Sequence, residues 1–141
     1  MTDTTNVNTW SPEQSTQAST NKYCIKNDFL LRTINFMLDK NGCDIRSFLT
    51  PQEQEQHRAI MQQPKALWIT ISEGLSNEAI IALIKFFTLA EMQYSQWRAD
   101  ELSPVIGLTR GLKKKGEKID RELLTWIKKE SDNKFLPNGP L

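Results

Sequence analysis

Between Ile80 and Met92, ten of thirteen residues are apolar, and the exceptions Lys85, Thr88 and Glu91 stand three apart. On a helix that spacing draws one thin polar stripe and leaves the rest of the circumference apolar. A helix of this kind must be surrounded, by other helices or by a partner subunit. The run is interrupted and too short to cross a bilayer, so no membrane partner is expected. Ser76 supplies an N-cap, Glu78 and Asp100 bracket most of the segment, and Tyr94 and Trp97 prolong its apolar character. The sequence therefore predicts a central helix over Asn77–Trp97.

Around it the spacing predicts further helices. In Asp28–Lys40, Leu30, Leu31, Ile34, Met37 and Leu38 fall on one helical face, with Asn41-Gly42 as the stop. Thr50, Pro51 and Glu53 spell a capping box with proline at the first helical position. The Gln-rich segment that follows runs to about Gln62 and reads as a surface helix. Lys65–Ser72 alternates like a strand at Leu67, Ile69 and Ile71. Pro64 and Gly74 equally frame a helix, and without a convincing strand partner helix is the choice. Ser103-Pro104 repeats the cap-plus-proline start, with Val105, Ile106, Leu108 and Leu112 on the buried side and Gly116 as the stop. Asp120 caps a last helix to about Ser131. The expected fold is all-α, a single-domain bundle of five or six helices.

Residues 1–21 hold 14 Ser, Thr, Asn and Gln and read as a flexible polar arm, with Trp10 its one large anchor. Residues 22–141 form the helical domain, about 120 residues, enough to bury roughly two-thirds of the unfolded surface without metal or disulfide. The N-terminus has no basic region followed by an apolar stretch, and residues 1–21 contain no Arg or Lys. Neither a secretory signal nor a mitochondrial presequence is expected. Cys24 and Cys43 make no disulfide framework, and the expected location is cytoplasmic, with two reduced thiols.

Net charge is +1, unevenly spread. Residues 110–141 carry nine Lys or Arg against five Asp or Glu; residues 1–109 carry nine against twelve. Arg110, Lys113, Lys114, Lys115, Lys118, Arg121, Lys128 and Lys129 could meet phosphates and release counterions, the nucleic-acid alternative. The helix–turn–helix outline of 104–131 fits DNA reading poorly. With Gly116 as the turn glycine, Leu112 falls where such motifs hold a small residue, and Glu122 where they hold an apolar one.

Gly107 and Gly111 stand four apart within a helix, where each costs about 1 kcal/mol against Ala, so something must approach that backbone closely. A neighbouring helix or a partner peptide would both answer. The C-terminal Phe135, Leu136 and Leu141 are apolar where a tail is ordinarily polar, and either cover the core or dock on a partner.

Catalytic signatures are nearly absent. His57 is the only histidine, which excludes a multi-histidine metal site. No P-loop, dinucleotide turn or nucleophile elbow is present, and no cofactor or metal is expected. An enzyme would have to work through Cys43 or His57. The expectation is a non-enzymatic interaction or adaptor protein, binding a protein partner or itself through the tail, the Gly107/Gly111 face, or surplus apolar surface on the long helix.

Overall fold

Six α-helices are the regular framework of residues 23–40 and 44–139, the part of the chain that the computed structural model describes, and no strand occurs among them. They are α1 (Asn27–Lys40), α2 (Pro51–His57), α3 (Lys65–Glu73), α4 (Asn77–Gln93), α5 (Pro104–Lys114) and α6 (Arg121–Glu130). Short 3₁₀ turns occupy Arg58–Gln62 and Asp100–Leu102. No helix among the described residues is long and apolar enough to cross a membrane. The polar arm at 1–21, Cys43 and Leu141 lie outside the described residues.

Local chemistry sets the helix starts. Thr50 accepts from the Glu53 N–H at 3.1 Å while its own N–H donates to Glu53 Oε1 at 3.0 Å, a closed capping box. Ser76 accepts from the Ala79 N–H, Ser103 from that of Val105, and Asp120 from that of Leu123. Each bond satisfies an N–H that the first helical turn leaves without a carbonyl partner. Gly116, at φ +87°, takes the left-handed conformation that ends α5.

The α4 helix packs against α1, α5 and α6. It buries Ile80, Leu83, Ile84, Phe86, Phe87 and Leu89. Phe86 stands edge-on to Phe48, Phe87, Tyr94 and Trp97, and Trp68 edge-on to Phe87.

The helix ends at Gln93, four residues before the expected Trp97. Tyr94 turns extended, which lets its hydroxyl donate to the Ile45 carbonyl at 2.6 Å. The Trp97 indole N–H donates to the Gln54 carbonyl at 3.0 Å. The polar stripe of Lys85, Thr88 and Glu91 is drawn largely inside. Thr88 is buried and donates to the Ile84 carbonyl. The Glu91 carboxylate, 0% exposed, accepts from the N–H groups of Ala99 and Asp100 and from Asn133 Nδ2, each at 3.0 Å. It staples the turn after α4 to the C-terminal segment.

Two other expectations are corrected by packing. On α1 the buried residues are Phe29, Leu30, Thr33, Ile34 and Met37, while Leu31 and Leu38 are 54% and 57% exposed. The α2 segment is not wholly superficial. It tightens into a 3₁₀ turn that buries Ile60 and Met61, and His57 at the junction is buried too.

Lys65–Glu73 is a helix, and α3 and α5 pack closely against each other. Beyond α6 the chain turns at Lys134–Asn138 and buries Leu136 and Pro137, with Gly139 beside Ile106.

Candidate functional site

The α1 and α6 helices both rest on α4 but scarcely on each other. Between them lies a half-open groove of about 550 Å³. Its floor is one side of α4, carrying Glu78, Ile81, Ala82 and Lys85, positions spaced three or four apart as a single helical face requires. Met37 and Leu38 line the α1 wall; Leu123 and Trp126 line the α6 wall, with Asp120 and Glu122 at its N-terminal end.

Charge is distributed unequally over these walls. Glu78, Asp120 and Glu122 are exposed carboxylates, and Lys85 is the one cation among the lining residues. Lys85 is half-buried, with its ammonium 6.0 Å from the centre of the Trp126 ring, a cation–π distance. Three carboxylates less one ammonium leave the groove at −2, opposite in sign to the chain as a whole. Glu78 and Glu122 occupy the first turns of α4 and α6, at the positive ends of the helix macrodipoles.

The residues singled out by sequence are placed elsewhere. Gly107 and Gly111 face α3: a Cβ on Gly107 would stand 2.7 Å from Trp68 Cβ, and one on Gly111 1.9 Å from Ser72 Oγ. The close approach inferred for these glycines is that of a neighbouring helix, which leaves no room on this face for a second occupant. Leu136 is buried and Phe135 half-buried within the same chain, so among the described residues the tail segment 134–139 packs on the core.

All eight basic residues of the nucleic-acid alternative, Arg110, Lys113, Lys114, Lys115, Lys118, Arg121, Lys128 and Lys129, are exposed. Three are tied within the chain. Lys113 donates to Asn138 at 2.9 Å, Lys114 pairs with Glu73 at 3.3 Å, and Lys115 donates to the Leu75 carbonyl.

His57 lies against α1, its ring stacked on Phe29 at 4.1 Å and its Nδ1 2.8 Å from the Tyr23 hydroxyl. Burial lowers the pKa of His57 below its usual 6.5 and pushes the Tyr23 phenol up to about 12. These neighbours hold the imidazole neutral inside an aromatic contact. Among the described residues no three His, Cys, Asp or Glu side chains are grouped to hold a metal ion.

One feature of the sequence points toward the groove. Residues 29–38 hold Phe29, Leu30, Leu31, Ile34, Phe36, Met37 and Leu38, more apolar side chains than one helical face can bury. Leu31 and Leu38, seven apart, are the surplus. In sequence and in fold, the chain matches no family model, no curated protein and no solved structure.

Proposed function

We propose that this protein is an interaction module that docks a segment of a protein partner in the groove between α1, α4 and α6. One observation carries the reading: Leu38 stands 57% exposed at the lip of a groove whose floor and far wall add the half-buried Ile81 and Trp126. An exposed leucine beside a concave surface gives a partner side chain a place to pack. The half-open form suits a helix or extended peptide better than a small molecule, whose sites enclose most of the ligand. The nucleic-acid alternative has less support, because three of its eight basic residues are engaged within the chain and Glu117, Asp120 and Glu122 interrupt the basic field.

Selection of short random peptides displayed on phage, with the protein immobilised, tests the proposal. The expected result is a set of peptides whose affinity falls about tenfold or more in Leu38→Asp and is unchanged in Leu102→Asp, an exposed leucine outside the groove. Failure to enrich any peptide, or equal losses in both variants, overturns it. If duplex DNA of mixed sequence instead binds with a steep salt dependence that Lys113→Glu with Lys115→Glu abolishes, the function belongs to the basic turn.

A further inference from the structure

Resting on the docking reading above, we infer that the groove's partner is a basic amphipathic helix, with apolar anchors for the α4 floor and Lys or Arg for the acidic rim. The apolar target is short: Ile81 and Ala82 on the floor, between Glu78 and Lys85, with Leu38 at the lip and Trp126 opposite, which calls for one or two apolar anchors on the partner.

Charge then selects among the possible occupants. A second copy related by two-fold symmetry would bring the same groove against itself, setting six carboxylates against two ammonium groups. Like charges so juxtaposed oppose association. A head-to-tail copy offering its basic run fares no better, because Lys113, Lys114, Lys115, Gly116, Glu117 and Lys118 include no apolar side chain for the floor. The chain's own residues 1–21 carry Asp3 and Glu13 and no Lys or Arg, the wrong sign for this rim. A foreign helix with cations flanking an apolar stripe satisfies both floor and rim. Glu78, Asp120 and Glu122 would meet its basic residues, while Lys85 stays over Trp126.

The test uses two synthetic helical peptides as probes. They share one leucine stripe at i, i+3, i+4 and i+7 and differ in having Lys or Glu at every flanking position. Fluorescence anisotropy with the full chain at low salt is expected to show the Lys peptide binding at least about tenfold tighter, the gap narrowing as salt screens the rim. Glu78→Lys with Glu122→Lys, both on exposed first turns and checked for helicity by circular dichroism, should close or reverse that gap. Leu38→Ser should weaken the Lys peptide through loss of the apolar lip, without changing the charge of the rim. Equal binding of the two peptides, lost in Leu38→Ser, overturns the basic partner and leaves the docking reading standing. Binding of neither peptide, with none enriched from the random library, overturns both. A dimer in light scattering that dissociates in Leu38→Asp replaces the basic helix with a second copy.

Discussion

Gly111→Ala should destabilise the protein, against the ordinary helix-propensity gain of about 1 kcal/mol for replacing a mid-helix glycine with alanine. The new methyl would lie 1.9 Å from Ser72 Oγ and 2.7 Å from Ser72 Cβ, where contacting heavy atoms settle at about 3.5–4.0 Å. Rotating the hydroxyl away sacrifices its 2.6 Å bond to the Ile69 carbonyl and leaves the Cβ clash untouched. Relief therefore requires α3 and α5 to separate, and overpacking of this kind costs about 1–3 kcal/mol. After the propensity gain of about 1 kcal/mol, the net loss is up to about 2 kcal/mol. It should appear in urea denaturation as a lower midpoint at unchanged slope. Ser72→Gly removes both clashing atoms, and the next neighbour, Ile69 Cα at 3.5 Å, is an ordinary contact. The double variant should thus exceed the sum of the singles by about 1–3 kcal/mol in stability. Gly74→Ala is the control: its Cβ meets only the Ile71 carbonyl oxygen at 3.8 Å, so it should be neutral or mildly stabilising. If Gly111→Ala behaves like Gly74→Ala, or shows no coupling to Ser72→Gly, α3 does not rest on α5 at this point.

Three further outcomes can be checked by equilibrium unfolding. Glu91→Ala leaves the Ala99 and Asp100 N–H groups and the Asn133 amide without their acceptor, and should cost about 2–4 kcal/mol; a loss below about 0.5 kcal/mol would show that the staple is dispensable. The Arg32 guanidinium, 2.7 Å away, and the Thr50 N–H hold Glu53 at about 2, against 4.5 when free. Because the folded pKa is the lower one, this stability is present above about pH 4.5 and lost as pH falls toward 2. Solvent screening reduces it to about 1 kcal/mol, and Arg32→Ala should flatten that part of the pH profile. His57, whose folded pKa lies below 6.5, takes up its proton more readily when unfolded. Stability should decline as pH drops below about 6.5, and His57→Gln should remove that decline while leaving the Glu53 window in place.

What the sequence made legible was local. Thr50, Ser76, Ser103 and Asp120 announced four helix starts because a capping oxygen needs only the N–H groups two or three residues ahead. The close approach at Gly107 and Gly111 was legible for a related reason, since two costly glycines on one face require a nearby backbone. The end of α4 was not. Its termination depends on Gln54 and Ile45, 43 and 49 residues upstream of Trp97 and Tyr94, and on Asn133 reaching Glu91. Periodicity also put His57 on a polar surface, because nothing within Glu53–Arg58 reveals that Phe29 and Tyr23 will close over it.

The groove depended on a still less local relation. Each wall follows from an ordinary pattern: Met37 and Leu38 from the apolar surplus of α1, Ile81 and Ala82 from the run in α4, Leu123 and Trp126 from the stripe of α6. Only the distance between α1 and α6 makes them walls. Had those helices met over α4, Leu38 and Ile81 would be core and no groove would exist. The carboxylates belong to α4 and the start of α6, Glu78 on the one and Asp120 and Glu122 on the other, so they charge the rim without bearing on the gap to α1. Neutralising Glu78 and Glu122 to Gln should therefore reduce affinity for a basic helix without opening or closing the groove.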